Sequence, residues 1–305
     1  MSKLFASGLT LALIAANATA AVDSDLLNLV MPDAKILAGV RVDQTTASPF
    51  GQFVLGRVPS NNQGFQLFMA ATGFDPRRDL SEVLIAGDAN NPSASKGLLL
   101  ARGTFQPGLF LTTAAGVGAT VTTYHGIDVL TPPGEASEFA AAFLGPTLAI
   151  AGNPDAVKAA IDRHIAGTNY SGPLATQALD ASANRQVWFA TTAPLSGLLG
   201  GQLGNAGTMS PQNLFKTVSS VFGGATFGSD SVTIALTTTA DTDKDAQGVA
   251  EVMKFLSGMM AQTGGAMVEQ NGVLVHMTMS LSEQQAEQWF SSQQAKPKKL
   301  AALSN

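Results

Sequence analysis

The 305-residue chain contains no cysteine, which leaves it no disulfide framework and no cysteine-linked lipid anchor. Charge is scarce too: Asp, Glu, Lys and Arg make up 13% of the residues, against about 25% in an average soluble domain. With 17 basic and 22 acidic residues the net charge is −5, so there is no basic excess for a polyanion, and nucleic acid is not expected as a partner. After residue 20 no run approaches the roughly 18 uncharged apolar residues of a membrane-spanning helix. Neither G-x-S-x-G nor H-E-x-x-H occurs, and only three histidines are available.

The first twenty residues carry Lys3, an uncharged apolar run from Leu4 to Ala16, and Ala18-Thr19-Ala20, a small-x-small cleavage pattern. They read as a secretory signal peptide cut after Ala20, and its removal takes the net charge to −6. The expected location is periplasmic or extracellular. Lys296 to Asn305 reads as a flexible tail.

The most regular stretch runs from Gly223 to Phe290. Val232, Ile234 and Leu236 alternate with Thr233, Ala235 and Thr237, the pattern of a strand with one buried face. Asp241, Thr242 and Asp243 offer capping oxygens to a helix over 243–262, along which Val249, Val252, Met253, Leu256, Met259 and Met260 recur at helical spacing. Asn271-Gly272 between 266–270 and 273–281 predicts a hairpin with a type I′ turn. Ser282 caps a final helix over 283–290.

A fainter version of this order occupies the first half. A strand covers 35–43, with Ile36, Ala38, Val40 and Val42 alternating against Leu37, Gly39 and Arg41. Helices follow at 49–57 and 64–72, strands at 82–87 and 97–102, a helix at 105–115, and hairpins at 119–124/127–130 and 138–144/147–151. A helix beginning at Asn153-Pro154-Asp155 closes the half. A shift of 146 residues lays His125-Gly126 on Asn271-Gly272, and similar shifts align Pro49 with Pro194 and strand 36–42 with 187–192, which suggests an internal duplication. The expected fold is α+β, in two similar halves, 21–168 and 169–295. Each is an antiparallel sheet with helices on one face, and the boundary falls near 167–173.

Three strings carry a resemblance: Ala38-Gly39-Val40; Ser48-Pro49-Phe50-Gly51-Gln52; and Thr72-Gly73-Phe74-Asp75-Pro76-Arg77-Arg78-Asp79-Leu80. Ala149-Ile150-Ala151-Gly152 before Val157-Lys158-Ala159-Ala160-Ile161-Asp162 adds a fourth. Together they resemble a group of uncharacterised exported bacterial proteins. The resemblance implies an α+β envelope protein and brings no catalytic residue.

Motifs that point to chemistry each lack a needed residue. Asp241, Asp243 and Asp245 open like a calcium loop, but Ala246 stands where the turn needs Gly and Val252 where the bidentate Glu belongs. Met277 and Met279 with His276 could suit Cu(I), yet strand alternation puts His276 on the opposite face. Ser93-Ala94-Ser95-Lys96 has the S-x-x-K spacing without its companions. Gly197, Gly200, Gly201 and Gly204 lack the strand-helix setting of a dinucleotide loop. His125, His164 and His276 are scattered, and Asp75, Arg77, Arg78 and Asp79 read as local ion pairs.

No metal or cofactor is expected. The expectation is an exported, non-enzymatic binding or interaction protein whose partner is a protein or an apolar or neutral ligand. Its binding groove would lie between the halves, lined by Trp188, Met253 and Met260. The alternative is a hydrolase assembled from the scattered His and Asp residues, for which the deciding feature is a carboxylate that orients a His.

Overall fold

A computed structural model describes residues 21–56, 63–88, 97–134, 138–193, 215–259 and 266–294. Outside these lie the expected signal peptide and tail, Ser93 to Lys96, Met260, the end of the expected 243–262 helix and the 197–204 glycines.

The described residues form a single twelve-stranded sheet, antiparallel at every pairing. In the first half the strands are β1 (Ile36–Arg41), β2 (Leu80–Gly87), β3 (Leu98–Gly103), β4 (Thr120–Tyr124), β5 (Ile127–Thr131), β6 (Ala140–Phe143) and β7 (Leu148–Gly152). The second half supplies β8 (Val187–Thr191), β9 (Val218–Phe227), β10 (Ser231–Ala240), β11 (Ala266–Asn271) and β12 (Leu274–Ser282). Their spatial order is β11-β12-β10-β9-β8-β1-β2-β3-β7-β6-β5-β4. The fold is therefore α+β on one large antiparallel sheet, with each half a contiguous block of it.

Helices cover both faces, where one face was expected. On what we call the inner face, α1 (Ser24–Leu27), α7 (Pro154–Ala166) and α8 (Ala175–Ser182) close over Leu37, Leu84, Leu98, Leu100 and Ile150, burying Leu26, Val157, Ile161 and Ala178. On the outer face, α6 (Pro107–Gly116) brings Phe110 onto Ala101 and Phe143 at one end. At the other end α3 (Pro49–Gly56), α9 (Asp243–Met259) and α10 (Glu283–Gln294) cover Val221, Val232, Val275 and Leu281. The reason is compositional: β1, β2 and β3 are apolar in both phases of their alternation, and a strand apolar on both sides needs cover on both. In β1 the deeply buried set is Leu37, Gly39 and Arg41, while Ile36, Ala38 and Val40 are half-buried.

Local signals mostly act as written. Asn153 accepts from Asp155 N and Gly167 ends α7 in the left-handed region. His125 and Gly126 have φ of 49° and 80°, the positive pair that a type I′ turn requires. The second hairpin differs from expectation: Asn271 pairs with Leu274, so the turn residues are Gly272 and Val273. Gly272 alone has positive φ, +57°, which suits a type II′ turn with Gly first. In β12, Val275 and Leu281 are nevertheless buried and His276, Thr278 and Ser280 exposed, because pairing with β10 sets its faces. Strand β1 stops at Arg41, and Val42–Thr46 forms helix α2 where the strand was expected to continue. Between β1 and β2 also lie α4 (Gln63–Thr72) and α5 (Pro76–Asp79), the latter capped by Asp75.

Candidate functional site

Among the described residues, Trp188 and Met253, expected to line one groove between the halves, lie on opposite faces of the sheet, and Met260 lies outside those residues. β1 and β8 pair edge to edge, Gly39 lies opposite Trp188, and the indole packs across that glycine. A Cβ on Gly39 would stand 2.3 Å from the ring nitrogen, so only glycine fits beneath the Trp. Trp188 is 1% exposed in the inner-face core, whereas Met253 packs on the outer-face cluster of Val221, Val249 and Val275. The two residues therefore share no surface, because the halves join as one continuous sheet and Trp188 and Met253 lie on its opposite faces.

Three other places carry features that could serve function. The first is an apolar row on the outer face. Cross-strand partners run Val268, Met277, Leu236, Gly223, Phe189, Ala38, Ile85, Leu99, Ala151, Ala141, Leu130 and Val121, one residue from each strand. Helix α9 lies over the β11-β12-β10 end, bringing Val249 and Met253 beside Val268. Toward the other end Ile85 is 50% exposed, Leu99 44% and Val121 39%. Strands stand about 4.8 Å apart, so the stretch from β2 to β4 is about 24 Å long. Sequence alone hid it, since Ile85 and Leu99 look like any other strand residues.

The second is a charged cluster where the inner-face core ends. Arg41, Glu82 and Arg102 are direct cross-strand neighbours on β1, β2 and β3. Arg102 donates from Nε and Nη2 to the two carboxylate oxygens of Asp23, at 2.9 and 2.7 Å, and from Nη2 to Asp25 at 2.6 Å. Burial pushes the Asp23 carboxyl up, but the Arg102 hydrogen bonds and the Leu26 and Asp25 amides outweigh it and hold it below its usual value. Glu82 is 9% exposed; its Oε2 accepts from Asp23 N at 3.2 Å, and its Oε1 has no partner among the described residues. Burial is the largest influence on this carboxyl and raises it to about 7. Arg41 is 4% exposed and its Nε is likewise unpaired. A cavity of about 220 Å³ opens among Ala21, Asp23, Arg41, Asp43, Gln44, Ser81, Glu82 and Arg102. None of these residues stood out in the sequence, because positions 23, 41, 82 and 102 meet only through the sheet register.

The third is the carboxylate-oriented histidine. His125 Nε2 lies 3.5 Å from Asp162 Oδ1, and the Tyr124 hydroxyl donates to Asp162 Oδ2 at 3.1 Å. Both side chains are half or more exposed. Nearby, a cavity of about 390 Å³ is lined by Pro107, Leu111, Ile127, Asp128, Phe143 and His164. No hydroxyl among the described residues is hydrogen-bonded to His125, so the pair has a base and an orienting acid but no nucleophile. His276 sits across the sheet, 3.1 Å from Thr237 Oγ1.

Among the described residues no group of three His, Asp or Glu side chains is placed to hold a metal. At the head of α9, Thr242 Oγ1 accepts from Asp245 N at 3.2 Å and donates to Asp245 Oδ2. Arg78 pairs with Asp79 at 2.7 Å and Arg77 with Asp75 at 3.4 Å.

By its architecture the chain is an α+β protein built on one long antiparallel sheet. No protein-family model matches it, and no curated protein does. The solved structures it resembles include three crystal forms of TP0453. Form III gives a TM-score of 0.59 at 13% identity, covering 88% of this chain and 99% of that one. Form IV gives 0.55 at 12% identity over 88% and 97%, and form I gives 0.53 at 12% over 89% and 98%. At that identity the likeness is one of fold.

Proposed function

We propose that this is an exported, non-enzymatic protein of the bacterial envelope, periplasmic or extracellular, of the group its sequence resembles. It works by binding another protein, and it uses the uncovered half of the outer-face apolar row. The observation that carries the reading is the pairing of Ile85 with Leu99, both large, apolar and about half exposed in mid-sheet. Val117, Met267, Leu67 and Phe255 are more exposed but lie off this row, whereas Ile85 and Leu99 are adjacent across two paired strands, and a contiguous apolar patch of this kind supports a contact site. Its occupant is an amphipathic helix of the partner, by analogy with α9, which seats Val249 and Met253 at the other end of the same row.

Internal duplication belongs to the same proposal. Strands β1, β2, β3 and β8, β9, β10 run outward in the same order from the central β1–β8 pair. Helices α6 and α9 follow β3 and β10 on the same face, and a hairpin follows each. Helix α6 has 10 residues against 17 in α9, so the first half leaves bare what the second half covers.

Because the chain lacks cysteine, a single Cys at Leu99 or Ile85 can carry a photo-crosslinker. Crosslinking in intact cells should yield one discrete protein adduct from these positions and none from Thr278 on the opposite face. Equal adducts from both faces, or none from Leu99 and Ile85, rule the surface out. The hydrolase reading rests on His125 and Asp162 alone and still needs a nucleophile.

A further inference from the structure

The cavity beside Glu82 holds one more carboxyl group than guanidinium groups. Three carboxyl groups line it, Asp23, Asp43 and Glu82, against two guanidinium groups, Arg41 and Arg102. Asp25, outside the lining, adds a further carboxylate on Arg102. Glu82 is more than nine-tenths buried with Oε1 unpartnered, and an unpaired buried oxygen of this kind is costly. The remaining lining residue of interest is Ala21, the first residue after the expected cleavage point.

The chain at Ala21 is held firmly against the sheet. Val22 is 4% exposed in the inner-face core and its amide donates to Ser182 Oγ at 2.9 Å. One residue on, the Asp23 amide donates to Glu82 Oε2, and the Asp23 carboxylate receives Arg102. Cleavage after Ala20 would therefore create its new amino group one residue from a fixed core position, at the wall of an acidic cavity.

We propose that the α-ammonium created at Ala21 by removal of residues 1–20 docks in this cavity and pairs with Glu82, so that maturation itself completes the charge cluster. The inference rests on the export reading above. The ammonium supplies a positive charge that draws the Glu82 carboxyl into its ionised form and a donor for Oε1, and Asp43 and Asp23 reinforce it. Arg41 and Arg102 oppose it, and Arg102 is already neutralised by its two aspartates. Residues 1–20, while attached, leave only an amide at this position, which carries no charge.

The test compares the exported chain with its α-amine free and acetylated, in the wild type and in Glu82→Gln, by thermal melting at pH 7. Mass spectrometry of the exported chain fixes its first residue. The expected result is a chain starting at Ala21 whose melting temperature falls by several degrees on acetylation, with no such fall in Glu82→Gln. In the wild type alone, NMR of the isotopically dimethylated α-amine should give a pKa above the usual value of about 8. A chain starting elsewhere overturns both this inference and the cleavage point. A chain starting at Ala21 that melts identically in both forms, or that loses as much in Glu82→Gln, overturns the pairing and leaves export standing.

Discussion

Glu82 shows how one carboxyl can make stability depend on pH. Burial raises it from an ordinary 4.5 to about 7, so the folded chain keeps a proton that the unfolded chain releases. The stability this contributes is full below about pH 4.5 and is lost as pH rises through 7. In the full chain with residues 1–20 attached, urea melts should therefore show a loss of about 2 kcal/mol between pH 5 and pH 8 from this group. Glu82→Gln stays neutral and should remove most of that loss; an unchanged profile means the carboxyl is ionised throughout. Asp23 acts in the opposite sense: its lowered carboxyl stabilises above the ordinary range and loses that contribution in acid.

At the scale of the element, two of the helices that cover the outer face, α9 and α10, begin with side chains that satisfy their own amides, whereas Gln106 before α6 makes no side-chain cap. Ser282 and Gln285 exchange hydrogen bonds, Ser282 N to Gln285 Oε1 at 2.9 Å and Gln285 N to Ser282 Oγ at 3.2 Å, the reciprocal pattern of a capping box. Thr242 does the same work for α9, accepting from Asp245 N at 3.2 Å. Thr242→Ala and Ser282→Ala should each cost about 1 kcal/mol in urea denaturation. Adding calcium should not restore the Thr242 variant, since its acids serve the cap; a calcium-dependent rise in its midpoint would show that they bind the ion.

For the whole molecule, what matters is which side of the sheet a residue faces. Leu84 and Ile85 are adjacent in β2, yet Leu84 is 0% exposed and Ile85 50%. The same holds in β3, where Leu100 is 0% exposed and Leu99 44%. Leu84→Asp and Leu100→Asp place a charge in the inner-face core and should unfold the protein. Ile85→Asp and Leu99→Asp should stay folded, within about 1 kcal/mol of wild type by urea melts, while abolishing partner crosslinking. If all four unfold the protein alike, the outer-face row belongs to the core and offers no docking surface.

Much of this was written locally. Alternation in β10 and β12, Asn153 and Gly167 at the ends of α7, Asp75 before Pro76, and the turn at His125-Gly126 depend on residues a few positions apart, and sequence determined them. It also determined the class, since strand and helix patterns alternate without the regular crossovers of a parallel sheet. Helix α8 gave no such signal, because Leu174 at its N-cap offers no capping side chain; it packs against β8 and β9. Strand order, the turn shift at Gly272, the two-faced covering of the sheet and the burial of Trp188 over Gly39 were decided in the tertiary structure. So was the meeting of Asp23, Arg41, Glu82 and Arg102. The physical reason is that a strand's face and partners are fixed by pairing with strands distant in the chain. A strand apolar in both phases, such as β1, carries no local mark of which side will be sealed.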